Sequence, residues 1–103
     1  MMMANRAFSL LGLAYRAGKV ISGEEQVMKE IRAERAKLVI LSKDASANTS
    51  KRITDKCRFY HVPVHLAETR EILGKAIGKE ARVVAAVTDH GFAHKLAQLL
   101  DES

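Results

Sequence analysis

Along the chain the spacing of apolar side chains changes repeatedly between the two periods of regular structure, and each change marks an element. Phe8, Leu11 and Tyr15, flanked by Leu10, Leu13 and Ala14, fall on one helical stripe that ends at Gly18, a residue suited to a helix C-terminus. A short strand at Lys19-Val20-Ile21 follows. Val27 and Ile31, with Met28 beside them, give a second helix its apolar edge, and Lys29, Glu30 and Arg32 supply its polar remainder. Lys37 to Leu41 is apolar along both faces, as a central strand covered by helices on each side has to be. The polar stretch Asp44 to Ser50 leads into a third helix, with Ile53, Cys57 and Tyr60 at i, i+4 and i+7. Pro63, the only proline, separates that helix from a strand at Val64 to Leu66. Ile72, Leu73, Ala76 and Ile77 predict a fourth helix ending at Gly78, and Arg82 to Thr88 a second long apolar strand. Asp89 then caps a last helix that turns Phe92, Leu96, Leu99 and Leu100 inward.

Helix and strand alternate throughout with connections of a few residues. That order predicts an α/β fold, a three-layer α/β/α sandwich with a mixed sheet of about four strands and about five helices. The order of strands within the sheet does not follow from the pattern. The 103 residues suit a single domain over 1–103 with one core system, and no internal repeat, linker or low-complexity tract interrupts them.

Charge and cysteine usage narrow the function classes. Lys and Arg exceed Asp and Glu by 17 to 12, and a pI of about 9.6 lies in the range of nucleic-acid binders. The single cysteine, Cys57, allows no internal disulfide and fits a reducing, intracellular setting. The apolar run near the start is broken by Tyr15-Arg16 and lacks a small-residue cleavage pattern. It reads as a helix and not a signal peptide. Nothing approaches the roughly 18 apolar residues of a membrane span, so a cytoplasmic protein without membrane contact is expected.

Enzyme chemistry finds little support. Cys57 with His61, and His90 with His94, are four apart and could each share a helix face as metal ligands do, but nothing joins the two pairs. The glutamate of a His-Glu-x-x-His motif is absent, and Cys57 lies on an apolar stripe where an inert thiol is the common case. Neither a Gly-x-Gly-x-x-Gly nor a lysine-terminated phosphate loop occurs, and no nucleophile and base pair stands out. The expectation is a protein without catalytic activity, metal or cofactor.

The most informative segment is Ser22-Gly23-Glu24-Glu25-Gln26-Val27-Met28-Lys29, a turn glycine, three polar side chains and a lysine at the start of a helix. Backbone N–H groups at an exposed helix start can meet a polyanion or the edges of bases. Taken singly, a glycine before a helix is most often just a turn, and Lys29 and Arg32 most often a solvated face. Val83 and Val84, taken alone, read as core strand.

Several strings together resemble the kink-turn-binding ribosomal proteins of archaea and their relatives. They are Gly18-Lys19-Val20-Ile21-Ser22-Gly23, the helix to Lys29, Ala36 to Leu41, and Leu73-Gly74-Lys75-Ala76-Ile77-Gly78. Ser22-Gly23-Glu24-Glu25, Asp44-Ala45-Ser46, Gly78-Lys79-Glu80-Ala81-Arg82 and Thr88-Asp89-His90-Gly91-Phe92 resemble the bacterial YlxQ-like branch most closely. The resemblance covers nearly the whole chain. It implies a non-enzymatic RNA-binding protein that recognises a kink-turn, a duplex bent at a bulge followed by tandem sheared G·A pairs, and stabilises the bent form. It also implies an association with the ribosome or translation, and a monomer is the simplest state.

By position, the family's asparagine is Glu25 here, its glutamate is Gln26, and its lysine is kept as Lys29. The family's second contact, a loop that packs against bulged nucleotides, corresponds to Lys79-Glu80-Ala81-Arg82-Val83. Gln26 accepts and donates, whereas an ionised Glu25 only accepts and has to overcome repulsion from phosphates. The resemblance therefore implies binding that is weaker or narrower than in the archaeal members. The candidate RNA-binding set is Gly23, Glu24, Glu25, Gln26 and Lys29 with that loop, and Lys19, Arg32, Lys79 and Arg82 join Lys29 as phosphate contacts. The alternative is a protein-interaction module of the ribosome or transcription machinery, with the same basic face against an acidic protein patch.

Overall fold

A computed structural model describes residues 4–101 as α1 (Ala4–Arg16), β1 (Val20–Ser22), α2 (Glu24–Arg32), β2 (Leu38–Ser42), α3 (Ala47–Tyr60), β3 (Val64–Ala67), α4 (Arg70–Ala76), β4 (Val84–Val87) and α5 (His90–Asp101). The strands form one sheet in the order β1-β4-β2-β3. β4 runs antiparallel to both β1 and β2, and β2 runs parallel to β3. The carboxyl ends of β1, β2 and β3 therefore share one edge with the amino end of β4. That edge positions the starts of α2, α3 and α4.

β2 and β4 are the inner strands and are buried at every residue, which is why their sequences show no polar alternation. Successive side chains point to opposite faces. Val39, Leu41, Val84 and Ala86 meet Val27, Met28, Ile31, Ile53 and Cys57 from α2 and α3. Leu38, Ile40, Ala85 and Val87 meet Leu11, Leu73 and Leu96 from α1, α4 and α5, and Ile77 just past α4. Helices thus cover both faces, giving the expected three layers. Each fully buried Leu or Ile stabilises the fold by on the order of 1.5–3 kcal/mol.

Most element boundaries shift by one or two residues from the sequence pattern, and two of the shifts have a visible cause. Arg82 and Val83 lie outside β4, because the Arg82 N–H donates to the Arg70 carbonyl at 3.0 Å and ties that residue to α4. The polar stretch 44–50 is partly helix: Ser46 accepts from the Thr49 N–H, so α3 already starts at Ala47.

Helix ends follow one scheme. After α1 and α4, Gly18 and Gly78 take positive φ of 77° and 74°. The Lys19 N–H then reaches the Ala14 carbonyl at 2.9 Å, and the Lys79 N–H the Gly74 carbonyl at 2.8 Å, as in a Schellman motif. After α2 and α3 the same left-handed position is held by Glu34 and His61, each at φ 60°.

Candidate nucleic-acid interface

Because β1, β2 and β3 end at one edge, α2, α3 and α4 all begin there. Three helix starts in the fold are closed by side chains. Ser46 accepts from the Thr49 N–H at 3.1 Å, Thr69 from the Ile72 N–H at 3.3 Å, and Asp89 from the Phe92 N–H at 2.9 Å. The start of α2 has no side-chain cap. A single residue, Gly23, makes the turn from β1 at φ 96° and ψ 142°, a conformation that only glycine adopts without strain. Its N–H donates to the Val84 carbonyl at 3.1 Å and pins the turn to the start of β4. The amides of Glu24, Glu25 and Gln26 are left at the positive end of the helix dipole.

Val27, Met28 and Ile31 anchor α2 in the core, and its other faces divide the polar residues. Glu24 turns toward α3, where its carboxylate accepts from the Thr49 hydroxyl at 2.9 Å and from the Arg52 guanidinium. The same guanidinium reaches Glu25 at 3.3 Å. Glu24 first and Glu25 second hold the Arg52 pKa above its ordinary value. Glu24 thus ties two helices together. Glu25 stays 75% exposed with a cation at its side. Gln26 and, one turn on, Lys29 are exposed.

The loop from Gly78 to Val83 lies flat on α4. A Cβ at Gly74 would stand 2.7 Å from the Ala81 Cα, and one at Gly12 would stand 2.8 Å from the Ala76 carbonyl oxygen. The string Leu73-Gly74-Lys75-Ala76-Ile77-Gly78 is accordingly a packing device: Leu73 and Ile77 enter the core, Gly74 admits the loop, and Gly78 turns the chain. Arg82 is half-buried. Its Nε donates to the Ser22 hydroxyl at 3.2 Å and its Nη1 to the Ala81 carbonyl at 2.7 Å, which fixes the loop beside the α2 start. Val83 is half-buried against the α2–α3 side of the core, and Glu80 is exposed.

The edge therefore gathers Gly23, Glu24, Glu25, Gln26, Ala81, Arg82 and Val83. Lys29 follows one turn along α2. Arg32 stands at the far end of that helix, roughly 12 Å away. Lys19 precedes β1, roughly 13 Å along the chain from Gly23. Lys79 holds its Nζ 5.5 Å from the centre of the Tyr15 ring, on the α1 side.

Sequence reasoning missed Arg52 and the pairing of Asp44 with Arg70. Asp44 accepts from the Arg70 N–H at 3.1 Å, and an Arg70 guanidinium nitrogen donates to the Asp44 carbonyl at 2.7 Å. Neither pairing leaves a local trace, since the partners are 26 to 28 positions apart.

Among the described residues, no three His, Cys, Asp or Glu gather as metal ligands would. Burial pushes the Cys57 thiol up to about 11, which keeps it neutral and unreactive near pH 7. No helix among these residues is long and apolar enough to cross a membrane.

Over 94 residues the chain is 65% identical to the RNA-binding protein YlxQ of Bacillus subtilis (strain 168), covering 91% of this chain and 94% of that protein. The solved structure of a protein with unknown function from Bacillus halodurans superposes with a TM-score of 0.91 at 50% identity, over 93% of this chain and 97% of that one. The Giardia lamblia 15.5kD RNA binding protein shares the fold, with a TM-score of 0.84 at 18% identity over 99% of this chain and 88% of that one. Residues 5–97 match the Ribosomal protein L7Ae/L30e/S12e/Gadd45 family. The chain belongs to that family, on its bacterial YlxQ-like branch.

Proposed function

We propose that this protein is a non-enzymatic RNA-binding domain that recognises kink-turn RNA and stabilises its bent form. The observation that carries the reading is the uncapped start of α2, with Gln26 exposed on it and Arg82 fixed beside it, at the shared edge of the sheet. The name of the 65% identical relative, an RNA-binding protein, supports it.

A regular A-form helix hides its major groove, whereas a bulge and non-canonical pairs expose edges that side chains can reach. Gln26 offers both an acceptor and donors to such edges, and Glu25 an acceptor. Arg52 beside Glu25 offsets part of the repulsion that a carboxylate meets near phosphates. Lys29 takes a base edge or a phosphate, Arg82 chiefly phosphate beside the bulge, and Val83 and Ala81 offer apolar atoms to bulged nucleotides. Because these groups meet only the bent form fully, binding shifts the RNA toward it. The protein acts in the cytoplasm as a monomer, in association with the ribosome or translation.

Gel-shift titrations of a kink-turn duplex and of a straight duplex of equal length, at one stated salt concentration, test this. Tighter binding to the kink-turn is expected. Equal affinities would favour the protein-interaction alternative.

A further inference from the structure

The last turn of α1 and the end of α4 enclose a cleft of about 430 Å³ in which Tyr15 is flanked by Arg16, Lys75 and Lys79. No carboxylate lines it, and among the described residues none of these cations takes part in an ion pair. Glu80 follows Lys79 in the chain but does not line the cleft. Lys79 is held over the Tyr15 ring, an arrangement that fixes its charge without neutralising it. Lys19 lies three residues beyond Arg16 and is exposed.

We propose that this cleft is a second phosphate-binding surface, which takes the backbone of one stem of the bent RNA. The inference rests on the reading above and adds a separate point of attachment. The cleft lies at the carboxyl end of α4 and the reading edge at its amino end, about 10 Å apart. The loop 78–83 connects the two. On this proposal RNA that bends at the edge carries one stem back over α4 and onto the cleft, a contact that a straight duplex makes less fully. Contact here therefore adds to the preference for the bent form. Spaced, unpaired cations suit a phosphate backbone. A protein partner would call for an apolar or aromatic anchor; Ile77, the large aliphatic residue of the lining, is buried, and the face of Tyr15 is covered by Lys79.

The double substitution Arg16→Gln with Lys75→Gln tests the proposal, because both side chains are exposed on helices and their loss leaves the core intact. For a kink-turn RNA with two stems of about ten base pairs, the variant should lower the salt slope by about two. It should also bind on the order of tenfold to a hundredfold more weakly at about 0.1 M salt, since each lost phosphate contact forfeits a factor of about eight there. Shortening one stem, and not the other, should weaken the unaltered protein similarly and leave the variant unaffected. An unchanged affinity and slope in the variant overturns the proposal and turns attention to an acidic protein partner. If the unaltered protein binds kinked and straight RNA equally, the kink-turn reading falls. The slope difference between the two proteins still decides the cleft: a difference sustains the phosphate surface, and none removes it.

Discussion

The starts of α2 and α3 lie side by side at the same edge of the sheet, and they are built in opposite ways. α3 begins with a serine whose hydroxyl closes the first turn. α2 begins with a glycine that has no side chain to offer. A closed start secures its own helix. An open one leaves donors, and a dipole end, for something outside the protein. The link between the two, Arg52 on Glu24, shows how the open start is tolerated: α2 is held by its neighbour's side chains where its own cap is missing. Stability and recognition are thus assigned to adjacent turns, and substitutions should separate them.

The largest expected effect is on recognition. Gln26→Ala removes an exposed side chain from the open start and should cost about 1–3 kcal/mol in kink-turn binding while leaving straight-duplex binding nearly unchanged. Thermal denaturation should show no more than a small change, because Gln26 packs against nothing in the core. A loss of both affinities in parallel would make Gln26 a positioning group and the open start a general anion site.

The counterpart at the closed start is Ser46→Ala. It removes the hydroxyl that accepts from Thr49 and should lower stability by about 1 kcal/mol, read as a fall in the denaturant midpoint at unchanged slope. Kink-turn affinity of the folded protein should stay within about twofold, since the RNA is assigned to the neighbouring helix. A large loss of affinity with intact stability would mean that the α3 start also meets RNA, and the contrast between the two turns would fail.

How much of this was legible in the sequence follows the same division. The three layers follow from apolar spacing, because β2 and β4, buried on both faces, cannot alternate and the helices cannot avoid a stripe. The glycines at positions 18, 23 and 78 are readable since each takes a backbone conformation that punishes other residues. Glu34 and His61 occupy the same left-handed position without a glycine to mark it, and so escaped notice. The strand order and the placement of Arg52, Arg70 and Lys79 depend on tertiary register, which no local pattern encodes. Gly74 belongs to both groups. Its string could be recognised, but its reason, the close passage of Ala81, appears only in three dimensions.

The smallest expected effect concerns Glu25, the one carboxylate exposed at the open start. Sequence reasoning treats it as a handicap, a negative charge where the family has asparagine. The geometry softens that view, because Arg52 lies 3.3 Å from it and shares its guanidinium with Glu24. Glu25→Asn removes a charge from the RNA-facing turn and leaves Arg52 bound to Glu24 alone, so both changes make the surface more positive. Exposed ion pairs are worth about 0–1 kcal/mol, which bounds the expected gain in kink-turn affinity to less than about 1 kcal/mol. The gain should shrink as salt rises, being electrostatic in origin. If the asparagine variant instead binds more weakly, with the deficit persisting at high salt, the carboxylate is accepting a hydrogen bond from a base. In that case Arg52 serves to orient Glu25 rather than to offset it, and the open start of α2 reads RNA through a residue pair drawn from two helices.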